Sequence, residues 1–294
     1  MRARSLGGIL VLRTDDLDGP RTVPEAVDGN LHELAWLGLD WDEGPDIGGP
    51  LGPYRQSERG GRYAAALEAL QRRHLVYPCF LSRRELHEVA SAPHGRAPVY
   101  GAAERRANAA VAERKRSEGK TPSLRFRCPL GTLAFEDVVA GAQRARAERD
   151  VGDIVVRRAD GLWAYQLATA VDDAAMAVSE VVRGDDLLPS TFAQLLLYGA
   201  LGRVPPSFAH VPMLLDVRGE RLAKRRGSLT LRALREAGVR PERVVGVLAH
   251  GLGLTETLFE IEARELIDGF DLARIPRGPT RLGVEELAWL LERA

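Results

Sequence analysis

The chain has 294 residues, 45% hydrophobic and 28% charged, so it can bury a full core as one large domain with an insertion, or as two modest ones. No run of about 18 apolar residues exists, which excludes a membrane-spanning helix, and the basic residues 1–8 lead into an apolar stretch too short for a signal peptide. Formal net charge is zero, with 41 basic and 41 acidic residues, yet a polyanion partner is not excluded, because phosphate contacts depend on local basic surface.

In chain order, residues 8–13 are an apolar run ending in polar residues, the pattern of a buried parallel strand, and residues 14–20 break it with loop chemistry. Pro24 predicts a helix start, with Ala26, Leu31, Leu34, Ala35 and Leu37 on one face and Gly38 as the stop. A Gly/Pro-rich loop over 44–53 precedes a helix over about 57–73 and a short strand over 76–80. Residues 82–121 are polar, arginine-rich and helical, as an insertion would be. Strands are predicted over 124–127 and 154–158, apolar segments over 162–171 and 177–182, an amphipathic helix over 191–201 and a strand over 210–215, with helices in the remainder. This alternation predicts an α/β layer fold.

Charge is unevenly spread. Residues 15–58 hold eleven acidic residues and two arginines, whereas residues 203–243 hold ten basic and four acidic ones. Another basic stretch covers 105–127, although solvated arginine-rich helix faces would read the same way. The two cysteines, Cys79 and Cys128, cannot build a disulfide framework and fit a reducing, cytoplasmic compartment.

Three features could carry chemistry. Asp15, Asp16 and Asp18 follow the first predicted strand, where open α/β sheets bind ligands, and a carboxylate there could hold an ammonium group or a metal; turn and capping chemistry is the alternative. Between Gly219 and Ser228, Arg221-Leu222-Ala223-Lys224-Arg225-Arg226 forms a glycine-bracketed basic loop that could close over a polyphosphate, or be a solvated turn. Arg183, after Glu180-Val181-Val182, could fork onto a carboxylate, and Tyr165 could hydrogen-bond the same ligand; both residue types in strands mostly pack structurally. Cys79, His87 and His94 lack tight metal-ligand spacing and are not read as a metal site.

Taken together, the pieces resemble the class I glutamyl-tRNA synthetases. The resemblance rests on Gly7-Gly8-Ile9-Leu10-Val11-Leu12-Arg13-Thr14-Asp15-Asp16-Leu17-Asp18, similar to that family's strand ending in Arg-Ile-Glu-Asp-x-Asp. It rests also on Trp36-Leu37-Gly38-Leu39-Asp40-Trp41-Asp42-Glu43-Gly44 and Pro53-Tyr54-Arg55-Gln56-Ser57-Glu58-Arg59. Tyr77-Pro78-Cys79-Phe80, Val182-Arg183-Gly184-Asp185-Asp186-Leu187-Leu188 and His210-Val211-Pro212 continue it, and Arg221-Leu222-Ala223-Lys224-Arg225 falls where the family carries its Lys-Met-Ser-Lys-Ser loop. Two further features resemble the short branch that attaches glutamate to a queuosine base: the stretch 152–168, and the roughly seventy residues after the basic loop, too few for an anticodon-binding domain.

The resemblance implies a Rossmann-like catalytic domain over 1–235 with an insertion at about 80–125, a helical C-terminal stem over 236–294, and a monomer. Activity follows as ATP-dependent activation of glutamate to glutamyl-adenylate, with Mg2+ accompanying ATP, and transfer to queuosine in the anticodon of tRNA(Asp). An ordinary glutamyl-tRNA synthetase core and an inactive paralogue that only binds amino acid or RNA are the alternatives. By the same resemblance Asp15 holds the substrate amino group, Tyr165 and Arg183 contact glutamate, with Arg183 on its carboxylate, and Lys224 stabilises the transition-state phosphates.

Departures are also visible. The family's opening strand, Pro-Ser-Pro-Thr-Gly turn and His-x-Gly-His-like helix start have no counterpart, and residues 1–6 match the end of the following helix; a misassigned start codon is the simplest account. Asp15 is one methylene shorter than the family glutamate, Ala223 lacks the loop serine, and Arg221 replaces a lysine. The branch often carries zinc on Cys-x-Cys and Tyr-x-x-x-Cys; here Cys79 and Tyr100 remain, but Leu81 and Glu104 stand at the other two positions, so no zinc is expected.

Overall fold

The first helix, α1 (Arg2–Ser5), is a single turn, anchored by Arg2 to Glu180 through two hydrogen bonds of 2.7 and 3.0 Å. The apolar run after it is not the buried strand expected. It makes isolated parallel bridges on one edge, Val11 with Glu43 and Thr14 with Arg55, and Ile9 is 69% exposed. A parallel strand is buried by partners on both edges and cover on both faces, and among the described residues nothing pairs with the second edge here. The structure, a computed structural model, describes residues 1–18, 24–82, 84–86, 99–216, 218–220 and 229–292.

Helix α2 (Pro24–Trp36) has its expected place, and the helix predicted over 57–73 is divided into a 3-10 turn, Gln56–Arg59, and α3 (Gly60–Arg72). Next come β1 (Val76–Cys79), α4 (Ala102–Ser117) and β2 (Ser123–Phe126). The hairpin of β3 (Thr132–Asp137) and β4 (Gly141–Arg146) has no counterpart in the sequence reading. Strand β5 (Ile154–Arg157) pairs with β2 to complete an antiparallel sheet ordered β1–β2–β5.

The elements that position the site follow: α5 (Tyr165–Ala175), β6 (Glu180–Gly184), α6 (Leu188–Ala200) and β7 (Ser207–Val211). Strands β6 and β7 pair in parallel, joined through α6, and β3 runs parallel to β7, so the larger sheet is ordered β4–β3–β7–β6. Farther on, β8 (Leu214–Leu215) pairs with β9 (Thr280–Arg281), and α7 (Leu231–Glu236), α8 (Pro241–Gly251) and α9 (Val284–Leu291) supply helices.

The main core joins both sheets to their helices. It packs Leu67 and Leu70 of α3, Phe126 of β2, Val156 of β5, Leu167 of α5, Leu197 of α6 and Phe208 of β7. Each such burial contributes on the order of 1.5–3 kcal/mol, which fixes α5 and α6 as rigid supports. A second core unites Leu37, Leu234, Val244, Val247 and Leu290, and so crosses residue 235.

Candidate active site

Arg183 on β6 and His210 on β7 are register partners on adjacent parallel strands, so both side chains leave the sheet on one face. Arg183 Nε donates to His210 Nε2 at 3.1 Å, and Nη2 donates to Thr191 Oγ1 and Gln194 Oε1 of α6 at 2.8 and 2.9 Å. On the far side of the ring, His210 Nδ1 lies 2.6 Å from Asp137 Oδ2 at the end of β3. The Arg183 Nε–H can only donate, so His210 Nε2 accepts and the ring proton sits on Nδ1, facing Asp137.

The charges agree with that arrangement. Burial lowers the His210 pKa below its ordinary value, with Arg183 adding to the effect and Asp137 opposing it. For Asp137 burial acts upward, but hydrogen bonds from the Ala140 amide, the His210 ring and the His210 and Val139 amides outweigh it and hold the carboxyl below its ordinary value. Three of the five N–H groups of Arg183 are therefore held by neutral acceptors, and among the described residues no carboxylate lies within ion-pair distance and Nη1 has no partner. Rather than an open fork, the guanidinium offers one donor edge, Nη1, for a carboxylate.

Tyr165 opens α5 and is 37% exposed. Its neighbour Gln166 donates from Nε2 to Ser190 Oγ at 3.0 Å, one residue before the Thr191 that holds Arg183. The starts of α5 and α6 thus bring Tyr165 and Arg183 to one end of the same seam. Along that seam Gln166 Oε1, Thr169 Oγ1 and Gln194 Nε2 are buried without a hydrogen-bond partner among the described residues. Buried polar atoms rarely stay unsatisfied, so the seam suits a polar ligand or ordered water.

Asp15 is tied through Arg13 to Asp173 of α5. Arg13 Nε contacts Asp15 Oδ1 at 3.0 Å, while its Nη1 contacts Asp173 Oδ1 at 2.7 Å. Burial acts downward on the Arg13 pKa, but Asp173 and Asp15 outweigh it and hold Arg13 charged. Beneath them the fully buried Asp172 accepts from Arg59 Nε (2.5 Å), Tyr63 Oη (2.6 Å) and Gln56 Nε2 (3.0 Å). No hydrogen bond or ion pair among the described residues joins Asp15 directly to Tyr165 or Arg183. Asp16 follows the turn-capping alternative, accepting from Ser57 N and Oγ at 2.7 and 2.6 Å, and Asp18 pairs with Arg158 at 3.0 Å.

Other expected residues have different settings. Arg221, Leu222, Ala223, Lys224 and Arg225 lie outside the described residues, as do His87 and His94. Cys79 Sγ donates to Tyr100 Oη at 3.3 Å, Leu81 packs in the same apolar cluster, and Glu104 caps α4 by accepting from Gly101 N at 2.7 Å. A thiol, a phenol and a carboxylate engaged in a helix cap do not make a tetrahedral zinc donor set.

Asp137, Asp172 and Asp173, which sequence reasoning passes over, are the carboxylates that support the residues of the candidate site. Asp172-Asp173 in an apolar helix was the available signal, since a buried carboxylate needs partners. Asp137 had none, because its strand was not recognised.

Residues 1–289 match the family described as tRNA synthetases class I (E and Q), catalytic domain. The chain belongs to that family. Its enzymes are ligases of the aminoacyl-tRNA synthetase class, which agrees with the α/β architecture and the resemblance read from the motifs. A glutamyl-Q tRNA(Asp) synthetase from Symbiobacterium thermophilum is 50% identical over 99% of the chain and 90% of that relative. Another from Nitratidesulfovibrio vulgaris is 46% identical over 95% of the chain and 87% of that relative. A glutamate–tRNA ligase 1 from Halorhodospira halophila is 42% identical, but the chain covers 61% of its length. Among solved structures, a glutamate tRNA ligase from Elizabethkingia meningosepticum in complex with its amino acid superposes with a TM-score of 0.80 at 26% identity, over 98% of this chain and 63% of that one.

Proposed function

We propose that this chain activates glutamate with ATP to glutamyl-adenylate and transfers the glutamyl group to the queuosine base in the anticodon of tRNA(Asp). The observation that carries the reading is Arg183, a cation held in place by His210, Thr191 and Gln194, with no neutralising carboxylate and no partner for Nη1 among the described residues. That edge suits the side-chain carboxylate of glutamate, with Tyr165 at the mouth of the same seam. In the first step an oxygen of the glutamate α-carboxylate attacks the α-phosphorus of ATP and pyrophosphate leaves; in the second a hydroxyl oxygen of the queuosine base attacks the activated carbonyl, its proton is lost to solvent and AMP leaves. Lys224 and the loop 221–225 would meet the phosphates of ATP and its Mg2+, and Asp15 the substrate ammonium. Transfer to the anticodon base rather than to the tRNA 3′ end is favoured by similarity: two relatives named for that reaction are 50% and 46% identical to the chain, against 42% for the glutamate–tRNA ligase.

Glutamate-dependent ATP–pyrophosphate exchange without tRNA tests activation, which the short branch is expected to perform and ordinary glutamyl-tRNA synthetases are not. Exchange only in the presence of tRNA(Glu) would refute the reading. Arg183→Ala is expected to weaken glutamate binding roughly 10- to 100-fold, as loss of a hydrogen bond to a charged group implies; unchanged affinity would remove the carboxylate role.

A further inference from the structure

We infer that Asp137 and His210 are positioning residues for Arg183, forming a relay on three adjacent strands that keeps a compensating anion one imidazole ring away from the guanidinium. The inference rests on the reading of Arg183 as the carboxylate contact and deepens it. Asp137 ends β3, His210 lies on β7 and Arg183 on β6, in the spatial order of the sheet. Asp137 and His210 are each 1% exposed, so both act from within the core. The Asp137 carboxylate fixes the His210 tautomer by accepting from Nδ1 at 2.6 Å. That leaves Nε2 as an acceptor for Arg183 Nε at 3.1 Å and within 3.2 Å of the Thr191 hydroxyl, which itself accepts from Arg183 Nη2.

The arrangement has a chemical consequence. A carboxylate bonded directly to Arg183 would neutralise it and compete with a substrate carboxylate for the same donors. An imidazole acceptor fixes the side chain through Nε while leaving the charge uncancelled. Asp137 still supplies an anion to the network, at a range where it cannot occupy the guanidinium.

The test is calorimetric titration of glutamate, and separately of ATP, into the full chain and its variants, with 15N NMR of the histidine ring nitrogens. Asp137→Asn keeps the volume but presents an amide N–H to Nδ1, which drives the ring proton to Nε2 and sets donor against donor at Arg183. It is expected to raise the glutamate Kd roughly tenfold or more, with ATP affinity within about twofold of wild type and the NMR signature of the Nε2–H tautomer. His210→Gln can still offer an acceptor near the place of Nε2, whereas His210→Asn can keep the Asp137 bond but withdraws that acceptor. His210→Gln should therefore retain more glutamate affinity than His210→Asn at comparable melting temperatures. Arg183→Ala separates the two ideas. If it weakens glutamate binding while the Asp137 and His210 variants bind as wild type, or both His210 variants bind alike, the relay is overturned and the functional reading survives. If Arg183→Ala binds glutamate unchanged, the functional reading fails and takes the relay with it.

Discussion

Asp172→Asn is the substitution from which the structure allows most to be worked out. Asp172 is fully buried, and its carboxylate accepts from Arg59 Nε at 2.5 Å through one oxygen and from Gln56 and Tyr63 at 3.0 and 2.6 Å through the other. Arg59 is equally enclosed, and its remaining hydrogen bonds go from Nη1 to the carbonyls of Leu51 and Pro53, so no second anion replaces Asp172. The asparagine amide must point one N–H at Arg59 or at Gln56 and Tyr63, all of which donate. Removing one partner of a buried ion pair costs about 3–5 kcal/mol. At about 2.1 cal/mol/K per residue, unfolding entropy for 294 residues is roughly 0.6 kcal/mol/K, so the melting temperature should fall by roughly 5–8 °C. Scanning calorimetry measures this directly. The double variant Arg59→Met, Asp172→Leu removes both charges and should be more stable than Asp172→Asn. An Asp172→Asn melting temperature within about 1 °C of wild type would refute the reasoning.

Three further outcomes are expected. Gly246 lies within α8, where alanine ordinarily adds about 1 kcal/mol, yet a Cβ there would run into the Phe259 carbonyl oxygen; Gly246→Ala should destabilise by about 1–3 kcal/mol, read from urea unfolding. Both cysteines are buried, and burial together with Asp153 pushes the Cys128 thiol up to about 11, so a thiol-titrating reagent should react slowly with the native protein at neutral pH and with both cysteines in denaturant. His210 has a folded pKa below its ordinary 6.5, so the unfolded chain takes up the proton first; stability present above about pH 6.5 should be lost as pH falls toward the folded value, and His210→Gln should lack that part of the slope in melting temperature against pH.

The fold was readable where a segment is covered on its own terms. The helix expected over 191–201 is α6, begun three residues earlier, the segments 162–171 and 177–182, read only as apolar, become α5 and β6, and the strand expected over 210–215 is divided between the end of β7 and β8. Two errors have physical causes. Gly8–Arg13 has the composition of a buried strand, but burial depends on neighbours, which a local pattern cannot encode. The β3–β4 hairpin alternates Leu133 and Phe135 with Ala134 and Glu136 against an arginine-bearing partner, which reads as polar loop until the strands are paired. Missing that hairpin concealed Asp137, and with it the acceptor that sets the His210 tautomer. Arg183 itself was visible from the motif around it, while the neutrality of its surroundings needed coordinates.

Three arginines show why one of them suits a substrate. Arg59 is sealed against Asp172, so its charge is cancelled inside the core and holds the 3-10 turn before α3 to α5 and to the carbonyls of Leu51 and Pro53. Arg13 is shared between Asp173 and Asp15, which ties the first extended segment to α5 and leaves Asp15 partly neutralised, a weaker site for an ammonium than a free carboxylate. Arg183 alone among the three hydrogen-bonds, among the described residues, only to neutral oxygens and an imidazole nitrogen. Bringing a carboxylate to Arg59 or Arg13 would displace an existing anion and gain little net Coulomb energy. At Arg183 the anion adds to a site already ordered by Thr191, Gln194 and His210, so the ordering cost is met by the fold and the attraction is nearly all available for binding. The Asp15 side lacks that advantage, so selectivity for glutamate over a neutral amino acid should rest on Arg183: Arg183→Ala should narrow the affinity gap between glutamate and glutamine by the same factor by which it weakens glutamate, while Asp15→Asn should weaken both alike.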